Sequence, residues 1–279
     1  MLEQLNRYAA EIEAALDRYL PASADSRAKI REAMRYSLLS GGKRIRSVLT
    51  LEFCRVCGHD PQIAMPLACA LEMVHCYSLI HDDLPCMDDD TMRRGKPTNH
   101  VVFGEDFAVL AGDGLLTHAF VTALGADALT PAQTLAAARA LADAAGLDGM
   151  LGGQAVDVEN DGKLASFEAL SEMYGMKTGA LIRAAGRLGC IAADAGQAER
   201  EAAERYTAAV GLAFQIRDDL LDLEKDRAIG KTTYPAILGV EASEAKIDAL
   251  TEEAVAAASV YPDPGFLISL ARYLAGRSI

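Results

Sequence analysis

The chain has 279 residues, enough to bury a sizeable core in one large domain or two small ones. Half of it (51%) is apolar, with many Ala and Leu and no Trp, which favours helices over strands. A formal net charge of −13 argues against a nucleic-acid partner, but leaves small anionic substrates open because bound cations can invert the sign of a site.

Met1 leads into "LEQLNRYAAEIEAALDRYL", an acidic amphipathic helix over 2–19 and not a basic, then apolar, secretory leader. Helices are predicted next over 26–39 and 44–57. Between them, "GGKRIRSVL" (41–49) sets Lys43, Arg44 and Arg46 at a helix start after a Gly-Gly turn. Such a start is either a basic surface turn or a seat for an anion, since free amides and nearby cations both favour negative charge. Cys54 and Cys57 have no matching second pair. They read as core thiols, and the six cysteines together suit a reducing cytosol.

The helix predicted over 62–84 carries the most apolar stretch, "IAMPLACALEMVHCYSLI" (63–80). Pro66, Glu72 and His75 within it make a buried helix the better reading than a membrane span. Glu72-x-x-His75 has the spacing of a di-iron bundle, but the chain lacks a second Glu-x-x-His. His81-Asp82 equally lacks the companion histidines of a metal phosphohydrolase. The run "SLIHDDLPCMDDDTMRRGKPTNH" (78–100) then packs five aspartates into Asp82–Asp90. Pro85 cannot continue the helix, so "LPCM" is predicted to bulge and return Asp88 to the side of Asp82. Arg93 and Arg94 follow, suited by their planar forks to phosphate oxygens.

Further helices are predicted over 104–125, 131–144, 147–158, 167–189, 199–224, 242–258 and 263–275. Turn signals fall at 41–42, 58–61, 95–99, 160–163 and 229–235. "GMLGGQAVD" (149–157) sets several glycines in a helix, which implies close helix packing, with Gln154 or Asp157 as candidates to reach a site. In "YGMKTGALI" (174–182), Lys177 sits in an apolar helix and needs an anionic partner, with Thr178 beside it. "FQIRDDLLDLEKD" (214–226) puts Gln215, Asp218, Asp219, Asp222 and Lys225 on one helical face. Alone, that face could simply be solvated. Two such clusters argue for a shared hard cation, Mg²⁺ or Mn²⁺, held by oxygen ligands and completed by substrate phosphate. No strand, linker, low-complexity tract or internal repeat emerges. The expected fold is all-α: a single helical bundle over 1–279 with two facing aspartate clusters.

Taken together, "GGKRIR", "HCYSLIHDDLPCMDDDTMRRGKPTNH", "GMLGGQAVD", "MKTGALI", "FQIRDDLLD" and "GKTTYPAILG" resemble the trans-isoprenyl diphosphate synthases (polyprenyl synthetases), most closely the bacterial farnesyl diphosphate synthases. The likeness in order and spacing runs over nearly the whole chain. It implies that an allylic diphosphate ionises and that isopentenyl diphosphate attacks the cation, giving a product five carbons longer. By resemblance, Asp82, Asp83, Asp88, Asp218, Asp219 and Asp222 hold Mg²⁺ on the allylic diphosphate, and Arg93 and Lys177 hold that diphosphate directly. Lys43, Arg46, His75 and Arg94 bind isopentenyl diphosphate, while Thr178 and Gln215 line the path of the cation. Tyr77, with Ser78 beside it, forms the floor of the pocket, about 7.5 Å along the helix from Asp82, and so sets a C15 product. The family also implies a homodimer.

The chain departs from the family pattern at two places. Ser47 stands where Pro is frequent, with little consequence expected. The segment from Asp222 to Tyr234 is short: Lys231 matches the later of two family lysines, and Lys225 replaces the earlier one or is merely solvated. The alternatives are a C20-forming synthase, a terpene cyclase and a non-catalytic partner subunit. A cyclase needs no second diphosphate set such as Lys43, Arg46 and Arg94, and a non-catalytic subunit is expected to have lost an acidic motif; both motifs are intact.

Overall fold

The computed structural model describes residues 1–160, 163 and 166–276. Fifteen α-helices are found among them: α1 Leu2–Tyr19, α2 Ala28–Leu38, α3 Ile45–Val56, α4 Met65–Asp82, α5 Asn99–Phe103, α6 Glu105–Leu124, α7 Pro131–Ala145, α8 Met150–Glu159, α9 Phe167–Tyr174, α10 Ala180–Ala192, α11 Gln197–Leu221, α12 Leu223–Ile229, α13 Tyr234–Leu238, α14 Val240–Ala258 and α15 Gly265–Ala275. The expected all-α bundle is what forms. The turn predicted at 160–163 lies largely outside the described residues.

α4 is the central helix. Its apolar residues recur on every side, so it is buried all round, as a core helix must be. It packs on α6, α3, α1 and α10, while α11 lies between α10 and α14. Small residues set the closest approaches. A Cβ on Gly189 would stand 2.5 Å from the Thr50 carbonyl and 2.7 Å from the Phe53 Cβ, so α10 lies flush on α3. α4 is apolar enough to cross a membrane but is 72% buried inside the protein.

Two buried polar residues at the start of α3, Arg44 and Ser47, are paired. Arg44 is 4% exposed and ion-pairs with Glu72 at 2.8 Å and Glu13 at 2.5 Å, and it donates to the Leu38 carbonyl at 2.6 Å. Ser47 lies 2.9 Å from both the Ala68 carbonyl and Glu72. Glu72 is thus spent on tying α3 to α4. Cys54 is buried, and burial pushes its thiol up to about 12, the state of an inert core thiol.

The structure corrects several predicted elements. A strand pair was not expected, yet Met92–Arg93 and Lys96–Pro97 form a two-residue-per-strand antiparallel hairpin. Its turn residues, Arg94 (φ 52°) and Gly95 (φ 73°), both take left-handed backbone, the requirement of a type I′ turn. The helix predicted over 167–189 is interrupted by a π-helical turn at Gly175–Gly179. The one predicted over 199–224 stops at Leu221 and restarts as α12. The short helices α5 and α13 were not anticipated.

Candidate active site

The first acidic cluster is built by the end of α4. A helical Pro85 would clash with the His81 carbonyl, so the helix stops at Asp82. The chain then turns back, and the Asp88 amide donates to the Asp82 carbonyl at 2.8 Å. The extra residues before Asp88 therefore do return it to Asp82. Burial raises the Asp82 carboxyl to about 6, with Lys177 opposing and the charge of Asp88 adding to the rise. Asp83 faces elsewhere: it is 3% exposed and ion-pairs with Arg93 at 2.5 Å. Arg93 is also 3.5 Å from Asp90. In this structure Arg93 is thus held by the acidic cluster itself.

The hairpin turn places the next arginine. Left-handed Arg94 sends its guanidinium back to the Gly41 carbonyl, 3.5 Å from Ser40 Oγ. Gly42 (φ 131°) makes room, since a Cβ there would lie 3.0 Å from that guanidinium. Of the three basic residues in the Gly-Gly segment, Arg44 points into the core and only Lys43 and Arg46 remain for a site. Arg46 Nη1 is 3.3 Å from His75 Nε2, and its Nε is buried without a partner. Lys43 Nζ stands 5.3 Å above the Tyr273 ring. Lys43, Arg46, His75 and Arg94 line one cavity of about 190 Å³, walled by Ile182, Phe214 and Leu274. Burial and the neighbouring arginines hold the His75 pKa well below its ordinary 6.5, so the ring is neutral and the arginines carry the positive charge.

The second cluster is carried by the C-terminal end of α11. Lys177, in the π-helical turn, has the anionic partner that its apolar surroundings demand: Asp157 of α8, at 2.6 Å. α8 can approach because residue 153 is Gly; a Cβ there would be 2.2 Å from the Lys177 amide. Thr178 donates to Gln215 Oε1 at 2.9 Å, and Gln215 donates to Asp219 at 3.2 Å. Asp219 is 3% exposed, and its oxygens also accept from Tyr174 Oη at 2.9 Å and the Tyr234 amide at 3.0 Å. It closes the start of α13 on to α11 rather than opening on the cleft. Burial raises it to about 6, although Tyr234 and Tyr174 bond to it and Lys231 lies near. Asp218 is half-buried, and its charge is felt at Arg46. Asp222 and Lys225 are both exposed. The expected single face is therefore divided, with Asp219 inside, Asp218 between, and Asp222 and Lys225 on the rim.

A second cavity, about 390 Å³, shares Arg46 and His75 with the first. Asp82, Lys177, Thr178 and Gln154 line it together with Tyr77, Ser78, Val109, Leu151 and Leu181. Its polar and apolar walls suit a charged head and a hydrocarbon tail. The donors fit a hard cation: they are carboxylate oxygens, and Asp157 Oδ1 and Gln154 Oε1 are buried without partners. Among the described residues no three acidic, His or Cys side chains converge into a ready cage, so any ion would take further ligands from water and phosphate.

The partners Tyr174 and Tyr234 and the inward turn of Arg44 were missed from sequence. For Tyr174 a signal existed, three residues before Lys177, one turn earlier on the same strip of helix.

Comparison with known proteins agrees with this geometry. A family model described as Polyprenyl synthetase matches residues 27–258. The chain is 44% identical to a farnesyl diphosphate synthase of Geobacillus stearothermophilus, over 87% of this chain and 86% of that protein. It is 46% identical to the heterodimeric geranylgeranyl pyrophosphate synthase large subunit 1, chloroplastic, of Arabidopsis thaliana, over 81% of this chain and 66% of that protein. The crystal structure of an FPP/GFPP synthase from Zymomonas mobilis, in its apo form, superposes with a TM-score of 0.91 at 37% identity, covering 98% of this chain and 97% of that one.

Proposed function

The chain belongs to the polyprenyl synthetase family, and from that premise we propose that it is a farnesyl diphosphate synthase acting as one domain over residues 1–279. It condenses isopentenyl diphosphate with dimethylallyl or geranyl diphosphate and releases diphosphate. One observation carries this reading: two cavities share His75 and Arg46, one ringed by Lys43, Arg46, His75 and Arg94, the other running from Asp82 and Lys177 down to Tyr77. The two compartments suit two diphosphates, one of them with a tail. A cyclase would need only one.

Each residue has a task in this scheme. Lys43, Arg46 and Arg94 bind the diphosphate of isopentenyl diphosphate, with neutral His75 donating or accepting a hydrogen bond there. Lys177 and Arg93 bind the allylic diphosphate, Arg93 by leaving Asp83 as the substrate enters. Asp82, Asp83, Asp88, Asp218 and Asp222 are the candidate ligands for Mg²⁺ (or Mn²⁺). Asp219 joins them only by releasing Tyr174 and Tyr234, so its principal task is to hold Gln215 and the start of α13 in place. Bound Mg²⁺ would neutralise the leaving diphosphate and favour ionisation. The Thr178 hydroxyl oxygen and the Gln215 carbonyl oxygen present lone pairs where positive charge develops, and Lys177 holds the departing group, which is itself basic enough to take the proton. Lys231 and the rim residue Lys225 complete the positive border. Tyr77, with Ser78, ends the tail cavity and sets C15.

The test is incubation with labelled isopentenyl diphosphate, geranyl diphosphate and Mg²⁺, followed by dephosphorylation and chromatography. Farnesol is expected. Geranylgeraniol as the main product would favour the second reading, a C20 synthase, which the similarity to a relative of that name supports. No incorporation of isopentenyl diphosphate would overturn both readings. We also place the protein in the cytoplasm, in keeping with six free cysteines, and as a homodimer joined through α6.

A further inference from the structure

Tyr77, the floor of the tail cavity in the reading above, lines that cavity and is itself buried. Its edge-to-face neighbour is His81, one helical turn along the same face of α4, with ring centroids 5.8 Å apart and planes at 78°. His81 is itself held from the far side. Its Nε2 donates to the Val109 carbonyl of α6 at 3.1 Å, an assignment fixed by the carbonyl, which can only accept. The imidazole lies directly on Gly112 of the same helix: a Cβ at residue 112 would stand 2.1 Å from Nε2 and 2.4 Å from Cδ2. Only glycine leaves that notch. Tyr77, His81 and Val109 all line the tail cavity.

We propose that His81 is a positioning residue for product length: seated in the Gly112 notch of α6, it braces the Tyr77 ring across the end of the tail cavity. The inference rests on the C15 reading above and adds the device that fixes its floor. Without the wedge, the Tyr77 ring can swing into the space left beside α6, and the cavity deepens along the α4–α6 seam. Chain length is then set jointly by two helices, not by one side chain.

The experiment compares products and rates for His81→Ala, Gly112→Ala, the double variant and Tyr77→Ala. Gly112 touches neither substrate nor the acidic clusters, and the methyl group of Gly112→Ala acts by driving the flexible imidazole out of its notch. Both single variants should raise the ratio of C20 and longer products to C15 by roughly five-fold, the scale of removing a single edge-to-face ring pairing. Gly112→Ala should leave the rate of the first condensation, dimethylallyl to geranyl diphosphate, within about two-fold of wild type, because a short tail does not reach the floor. The double variant has no clash to relieve, so it folds even if Gly112→Ala alone does not, and it should match His81→Ala. Adding His81→Ala to Tyr77→Ala should change nothing more. An unaltered product ratio in His81→Ala and in the double variant overturns the proposal, as does a further lengthening on the Tyr77→Ala background. A wild-type product other than C15, or Tyr77→Ala without effect, would instead defeat the underlying reading of the floor.

Discussion

Asp82 and Asp219 show how little a residue type says without its surroundings. Burial raises both carboxyls to about 6. Asp82 opens on the tail cavity opposite Lys177, whereas Asp219 is enclosed by Tyr174, Gln215 and the Tyr234 amide. Their amide variants should therefore fail differently. Asp82→Asn and Asp218→Asn are each expected to lower turnover by roughly 10²–10³-fold while leaving the melting temperature near wild type, since charge in the cleft, not packing, is removed. Asp219→Asn should lower both, with a stability cost of about 1.5–3 kcal/mol from weakened charged hydrogen bonds. Steady-state rates with labelled isopentenyl diphosphate and thermal melts of the same preparations separate the two. The sequence marked all three aspartates by their spacing alone. It could not tell inside from outside, because that depends on Tyr174 and Tyr234, which meet Asp219 only after folding.

At the scale of elements, the long helices were legible because each repeats apolar residues at helical spacing against one core. What escaped prediction were the short elements whose support is tertiary. The hairpin at 92–97 has two residues per strand and a non-glycine residue, Arg94, in left-handed backbone. It is held from outside, by Tyr36 Oη donating to the Pro97 carbonyl at 2.8 Å and by Arg94 on the Gly-Gly turn. The π-helical turn at 175–179 leaves no mark in the apolar pattern and becomes visible only where α8 closes on it. Two substitutions probe these contacts. Gly42→Ala adds a methyl group against Arg94 at a strained φ, and should raise KM for isopentenyl diphosphate several-fold while KM for the allylic substrate stays close to wild type. Gly153→Ala forces a Cβ to within 2.2 Å of backbone that cannot yield, so α8 must move off Lys177. A loss of about 1–3 kcal/mol in unfolding free energy and a raised KM for the allylic substrate are expected, measured by denaturant titration and initial rates.

For the molecule as a whole, the imbalance lies on α6. This helix is apolar enough to cross a membrane, yet only 39% of its apolar window is buried within the chain. Leu110, Val121 and Leu124, eleven and then three residues apart, fall on one stripe of the helix and are 53%, 59% and 58% exposed. Beside the stripe runs a groove of about 460 Å³ between α2 and α6, lined by Leu20, Ile30 and Met34. A chain of net charge −13 has no need of so apolar a face in water. In the homodimer proposed above, the same face of a second copy would cover it by one two-fold operation. Replacing Leu110 and Val121 together by Glu should accordingly convert the protein to a monomer in size-exclusion chromatography with light scattering. A wild-type monomer, or a variant of unchanged mass, would argue against α6 as the seam. The opposite side of the same helix carries Gly112 and the Val109 carbonyl that seat His81. Burying the outer stripe would thus stiffen the wall against which the tail cavity ends. The monomeric variant is expected to release a broader range of chain lengths than the dimer, read from the same chromatograms.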